Sequence, residues 1–189
     1  MESLTAIFEK IGLQEHHLEN FRKELRVKSL KKKEYLIHEG SVCNFIAFVH
    51  SGTLRSYVQN DNEEFNNDFY FEGDFVSAYT SFLTQMPTNC NIEALTDVTV
   101  AYITYESYTA LMAGDSEFLK LGKYISDSYF IRKCKRETSF LKNTAAERFE
   151  MIKQLYPGIE QKVSQYHIAS YLGIKPESLS RLKTLNLHQ

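Results

Sequence analysis

No apolar run in this 189-residue chain is long enough to cross a bilayer, and the opening MESLTAIFEK has neither the basic head nor the apolar core of a signal peptide. These absences argue against a helical membrane protein, and the expectation is a cytoplasmic location with no membrane partner. Cysteine is scarce. Cys43, Cys90 and Cys134 stand far apart, with no CxxC pair and no clustered histidines, which reads as buried thiols rather than disulfides or metal ligands. The sequence also lacks a nucleophile motif, a phosphate-cradling glycine loop and any cluster at metal-ligand spacing. An enzyme is therefore not expected, and no cofactor is evident. His38, His50 and His167 read as ordinary strand and helix residues, and His16 and His17 as solvated members of a polar connection. Net charge is small as well: −2 for the whole chain argues neither for nor against a polyanionic partner.

The distribution of charge is more informative. Residues 1–130 hold 11 Lys and Arg against 19 Asp and Glu, a net of −8, whereas residues 131–189 hold 11 against 5, a net of +6. The basic end contains the stretch QYHIASYLGIKPESLSRLKT, Gln165 to Thr184. Ile168 and Leu172 lie four residues apart on one helical face, Leu179 and Leu182 three apart on the next, and Ile174 lies between them. Ala169 is small enough to let two helices approach, and Gly173 can take the positive φ of a tight turn. Pro176 suits the first turn of a second helix, with Glu177 at the positive end of its dipole. The spacing predicts a helix-turn-helix. The outer face of its second helix carries Lys175, Glu177, Ser178, Ser180 and Arg181, groups able to meet base edges or phosphates. An ordinary helical hairpin with a solvated polar face is the alternative.

Taken in order, the chain begins with two predicted short helices over Leu4 to Leu25, broken at Gly12. Lys28, Lys31, Lys32 and Lys33 read as a solvated edge. From Tyr35 to Tyr105 the texture is β: YLIHEG, FIAFVHSG, TLRSYVQN, FNNDFYFEGDFV, CNIEALTD and VTVAYIT are rich in β-branched and aromatic residues. Gly40, Gly52 and Gly73 suit corners, and Asn60-Asp61-Asn62-Glu63 a hairpin tip. This predicts a compact antiparallel roll or barrel, interrupted by a short helix at Val76 to Phe82 and a looser segment to Asn91. That segment either lines a ligand cavity or merely connects. Ser107 to Met112 predicts another short helix, and Asp115 or Ser116 the cap of a long one ending near Leu141. Phe118, Leu121, Ile125 and Tyr129 form one stripe of it, and Tyr124, Ile131, Cys134 and Leu141 another. One stripe suits the roll, and the Phe118 to Tyr129 region is the expected homodimer contact, with a helix buried all round in a single domain as the alternative. Thr144 and Glu147 have capping-box spacing for a helix to Tyr156, ended by Pro157-Gly158.

This order of parts resembles the Crp/Fnr family of bacterial transcription regulators. YLIHEG, FVHSGTLR, YFEGDFV, AERF and, most specifically, IASYLGIKPESLSRL carry the resemblance. It implies an α+β protein: a jelly-roll-like, antiparallel double-stranded β-roll sensor, a long dimerisation helix over about 115–141, and a small all-α helix-turn-helix domain lacking a full wing, since only Leu185 to Gln189 follow. The implied domains are 1–142 and 143–189. The implied partners are double-stranded DNA, a second copy of the chain and RNA polymerase. Glu177 and Arg181 would read bases, while Lys175, Ser178, Ser180 and Lys183 position the backbone. By the same resemblance the effector pocket maps to Gly73, Asp74, Thr88, Asn89 and Cys90. The cyclic-AMP-binding pattern has a Gly-Glu pair where this chain has Gly73-Asp74, and an Arg-Ser/Thr-Ala triplet where it has Thr88-Asn89-Cys90. Without the arginine a cyclic phosphate has no charge partner, so the expected effector is an unidentified small molecule rather than cyclic AMP.

Overall fold

The computed structural model describes residues 3–61 and 63–186. Asn62 of the expected hairpin tip and residues 187–189 of the segment expected in place of a wing lie outside the described residues. By compactness the chain divides into two units, the described parts of Met1–Ser56 with Phe69–Ile131, and of Tyr57–Asp68 with Arg132–Gln189.

In the first unit, helices α1 (Leu4–Lys10) and α2 (Glu15–Glu24) flank Gly12, which takes φ +72° as the break requires. The strands follow: β1 (Arg26–Leu30), β2 (Tyr35–Ile37), β3 (Phe45–Ser51), β4 (Leu54–Asn60), β5 (Glu63–Tyr70), β6 (Phe75–Val76), β7 (Asn91–Ala94) and β8 (Val98–Thr104), with α3 (Tyr79–Thr84) between β6 and β7. They form two four-stranded sheets, ordered β1-β8-β3-β6 and β2-β7-β4-β5, a double-layered roll rather than a closed barrel. The registered pairs are antiparallel, with Val49 opposite Val100 and Ile46 opposite Ile103 at the centre of the first sheet. Val98, Val100 and Ile103 of β8, Ile46 and Val49 of β3, Leu54 of β4 and Ile92 and Ala94 of β7 all enter one core. β1 escapes the sequence reading because its pattern is polar; it is an exposed edge strand with only Leu30 buried. The helix expected at Val76 to Phe82 begins three residues later, because Phe75 and Val76 are spent on pairing with Phe48 and Ala47.

Corners are set by backbone space. Gly40, Gly52 and Gly73 all have positive φ, and Gly52 leaves no alternative: a Cβ there would lie 2.3 Å from the Asp97 carbonyl oxygen. After β8, α4 (Tyr105–Gly114) is capped by Thr104, and Asp115 caps a short 3-10 turn, Ser116–Phe118, that leads into α5 (Leu119–Lys142). Phe118, Leu121, Ile125 and Tyr129 are buried in the same core as the strands, and the Tyr129 hydroxyl donates to the Phe75 carbonyl at 3.0 Å. The expectation that this stripe meets a second chain is corrected accordingly. Side chains packed into their own roll cannot also face a partner; of the second stripe Tyr124 also packs on the core and Cys134 is half-buried, while Ile131 and Leu141, with neighbouring Phe130, are left open at 51%, 80% and 70% exposure.

The buried ion pair of the roll was not foreseen. Arg55 on β4 grips Glu93 on β7, with Nε to Oε2 at 2.8 Å, and both side chains are almost wholly covered. Removing one member strands a charge in a dry site. Arg55→Ala is therefore expected to cost about 3 to 5 kcal/mol in a urea denaturation, while Arg55→Met combined with Glu93→Leu costs markedly less. A loss for Arg55→Ala below about 1 kcal/mol would show that water screens the pair.

Candidate nucleic-acid interface

The second unit is built on four helices after α5: α6 (Ala145–Leu155), α7 (Ile159–Lys162), α8 (Gln165–Leu172) and α9 (Pro176–Asn186). Thr144 and Glu147 form the expected capping box at the start of α6, and the Thr144 backbone N–H holds the Glu147 carboxyl below its ordinary range. Ser164 caps α8. Its other end closes on Gly173 at φ +68°, where the N–H of Gly173 donates to Ser170 O at 3.1 Å and that of Ile174 to Ala169 O at 3.0 Å. A Cβ on Gly173 would press within 2.8 Å of the Phe140 ring, so the turn needs glycine for both its dihedral and its neighbour. Ile168, Ala169, Leu172 and Leu179 are buried, with Ile174 and Leu182 half-buried, which is the seam the spacing predicts. Pro176 is the first residue of α9, where a missing N–H costs nothing.

Lys175, Glu177, Ser180 and Arg181 are exposed, while Ser178 and Lys183 are half-buried. Arg181 reaches only back to the Ser178 hydroxyl, at 3.4 Å. Lys183 is engaged: its Nζ lies 2.6 Å from a Glu160 carboxylate oxygen on α7. Six expected contact residues thus share one helix or its approach, and one is already ion-paired.

A set of long-range contacts holds α8 that sequence reasoning missed. The Ser170 hydroxyl donates to Glu64 O at 2.7 Å and accepts from the Asn66 N–H at 2.9 Å, fastening the β4–β5 hairpin to α8. His167, read as an ordinary helix residue, meets Asn66 Nδ2 through its ring and its carbonyl. Asp68 is buried, accepts from the Tyr156 hydroxyl at 2.6 Å, and lies 3.4 Å and 3.7 Å from Arg132 and Lys133. The hairpin also alters the charge. Segment 132–189 has 11 Lys and Arg against 5 Asp and Glu, and 57–68 adds Asp61, Glu63, Glu64 and Asp68 with no cation, so the net falls from +6 to +2.

The residues mapped to an effector pocket do not form one charged constellation. Asp74 accepts from the Phe71 N–H at 2.8 Å and closes the Gly73 turn. Thr88 accepts from the Cys90 N–H at 3.2 Å, and the Thr88 N–H donates to Ser41 O at 2.9 Å. Asn89 is exposed. The structure therefore binds these side chains into two separate turns. His17 is likewise corrected from solvated to buried: it lies in α2, with Nδ1 accepting from the Gln14 N–H at 3.1 Å and Nε2 3.3 Å from Asp115. His16, His17 and Asp115 bring ligand atoms within 4.8 Å of one another. However, an Nδ1 that accepts leaves the ring proton on Nε2, which suits a carboxylate rather than a cation.

Residues 27–115 match the family of the cyclic nucleotide-binding domain. The match ends before α5. No curated protein matches the sequence. Solved structures do resemble the fold: FixK2 from Bradyrhizobium japonicum (TM-score 0.74, 21% identity, covering 87% of this chain and 84% of that one) and the c-di-GMP responsive global regulator CLP of Xanthomonas campestris (0.72, 16%, 93% and 93%). A CooA variant from Carboxydothermus hydrogenoformans is similar in the same way (0.73, 19%, 97% and 85%). At such identities the likeness is one of fold, a cyclic-nucleotide-binding-like roll followed by a long helix and C-terminal helices.

Burial pushes the Tyr171 phenol up to about 12 and the Tyr156 phenol well above its usual range, with the Asp68 carboxylate adding to both. An unfolded tyrosine titrates near about 10, so the neutral phenols favour the folded state fully below that pH, and the benefit is lost as pH rises through the folded values. Denaturation followed by circular dichroism is expected to show stability falling between about pH 10 and 12, with a smaller fall in Tyr156→Phe. At neutral pH, Tyr156→Phe is expected to cost about 1 to 3 kcal/mol by leaving Asp68 without its hydroxyl donor.

Proposed function

We propose that this chain is a sequence-specific DNA-binding transcription regulator of Crp/Fnr type, acting as a homodimer on an inverted-repeat site. The observation carrying this reading is the pair α8 and α9, joined by a glycine turn, with Lys175, Glu177, Ser180 and Arg181 exposed opposite the buried Leu179. In the major groove Glu177 accepts from cytosine N4 and Arg181 pairs bidentately with guanine, while Lys175, Ser178, Ser180 and Lys183 position the backbone. Lys183 first has to exchange Glu160 for a phosphate. Functionally, residues 1–142 supply sensing and dimerisation and 143–189 the DNA contact, and the work is cytoplasmic, with RNA polymerase as the further partner.

The open α5 stripe of Phe130, Ile131 and Leu141 supports the homodimer, since apolar side chains so exposed on one helix face gain from a second copy. Two α9 helices about a two-fold axis reach successive major grooves roughly 34 Å apart. The roll senses an unidentified small molecule. Cyclic AMP is not that effector on this reading, because Thr88, Asn89 and Cys90 offer no guanidinium to its phosphate. A second reading, a ligand-binding or protein-interaction module without DNA, draws on the Lys183–Glu160 pair and the four hairpin carboxylates.

Selection from a random duplex library is expected to yield an inverted repeat with half-sites about one helical turn apart. Arg181→Ala is expected to cost about 1 to 3 kcal/mol on that site and to relax base preference, whereas Lys175→Ala weakens every duplex alike. Affinity that is flat with salt would favour the second reading, because phosphate contacts release counterions. Sedimentation of Phe130→Glu/Leu141→Glu is expected to show monomers where the parent shows dimers; dimers in both would move the interface elsewhere.

A further inference from the structure

A cavity of about 370 Å³ opens within the second unit, between the C-terminal end of α5, α6 and the end of α8. Its size falls in the range of small-molecule sites. Lys135, Arg136 and Arg148 line it together with Phe140, Met151 and Leu155, and no aspartate or glutamate is among its lining residues. The two guanidiniums lie over the same ring, 4.7 Å and 4.6 Å from the centre of Phe140.

Neither guanidinium has a carboxylate counter-charge among the described residues. Arg148 donates through Nε and both terminal nitrogens to the carbonyls of Leu172 and Asn143, at 2.8 to 3.2 Å. Arg136 donates to the carbonyls of Asn66 and Tyr171, and its buried Nε–H has no hydrogen-bond partner. Tyr171 and Leu172 end α8, so the arginines serve as C-terminal caps, and the helix dipole offsets about half of one charge. That leaves two like charges against one ring, with exposed Lys135 adding a third among the lining residues. Ser139 and Gln154 are the other polar lining residues, and on the apolar side Phe140, Met151 and Leu155 are each more than a third exposed.

We propose that this cavity binds a small amphipathic anion, a carboxylate on an apolar chain, with the carboxylate among Lys135, Arg136 and Arg148 and the chain against Phe140, Met151 and Leu155. No residue lining the site comes from a strand of the roll. The site touches the turn of the candidate DNA-binding pair, because Phe140 packs on Gly173 and the α8 end supplies Leu172. A bound anion would bear on how α8 and α9 are held. That consequence rests on the DNA-binding reading, whereas the binding itself does not.

The test uses the full chain, with octanoate as the probe in isothermal titration calorimetry and octanol and inorganic phosphate as controls. Saturable octanoate binding is expected, about tenfold or more tighter than octanol, with no measurable phosphate binding. Lys135→Glu changes an exposed side chain and Met151→Trp fills the apolar wall; each is expected to weaken octanoate by about tenfold or more while leaving the thermal unfolding midpoint nearly unchanged. Equal affinity for octanol and octanoate, or octanoate binding unchanged in Lys135→Glu, would overturn the proposal in favour of unspecific apolar uptake. No saturable binding by folded wild type would overturn it as well, and if Met151→Trp then converted dimers to monomers the cavity would be assigned to a second copy. Because calorimetry is done without DNA, failure of the DNA-binding reading leaves its outcome unaffected.

Discussion

A buried carboxylate organises the basic end of this protein. Asp68 lies at the base of the β4–β5 hairpin, accepts the Tyr156 hydroxyl from beyond the end of α6, and has Arg132 and Lys133 of α5 within ion-pair distance. An anion out of water is costly unless it is compensated, and here two segments far from it in sequence converge on it: Tyr156 and Arg132 at Oδ1, and Lys133 3.7 Å from Oδ2. The hairpin, once anchored, supplies Glu64 and Asn66 to Ser170, and α8 is thereby held by a strand as well as by its helical neighbours. The tyrosines around this site are raised first by their burial, and then by Asp68, since phenolate would add negative charge where that carboxylate already sits.

The long helix α5 illustrates how two apolar stripes divide their work. Phe118, Leu121, Ile125 and Tyr129 recur at helical spacing and fall into the roll's core, so their burial is complete within one chain. Phe130, Ile131 and Leu141 lie on another side of the helix and stay exposed, although their side chains are no less apolar. Periodicity marks the first stripe, and Ile131 and Leu141 of the second, as buried in something and cannot say in what. That decision belongs to the neighbour each stripe meets, and here it runs opposite to the expected assignment.

Charge behaves similarly. The excess of +6 over the last 58 residues is a property of composition, but the hairpin that packs into the same unit brings four carboxylates and lowers it to +2. The positive character then concentrates around Phe140, where Arg136 and Arg148 satisfy the last carbonyls of α8. In the roll, a polar position in a strand has an equally local outcome. Arg55 and Glu93 neutralise each other under cover, whereas Asp74 and Thr88 are spent on the turns that contain them.

The sequence alone determined what depends on neighbours in the chain. The break at Gly12, the Thr144 capping box, the glycine turn at Gly173, Pro176 at the head of α9 and the apolar seam of α8 and α9 all follow from spacing, because hydrogen bonds and helical faces three or four residues apart are set by backbone geometry. The other strands were legible as β-branched and aromatic runs between turn residues, and β1 was not, because an edge strand buries too little to leave a pattern. Tertiary structure decided the partners of Arg55, 38 residues from Glu93, of Arg136, 70 from Asn66, and of Asp68, 88 from Tyr156. It also decided that Lys183 is paired, that His17 is buried and that a basic cavity forms beside the turn. Each of these depends on which surfaces meet after folding, and no spacing along the chain encodes that choice.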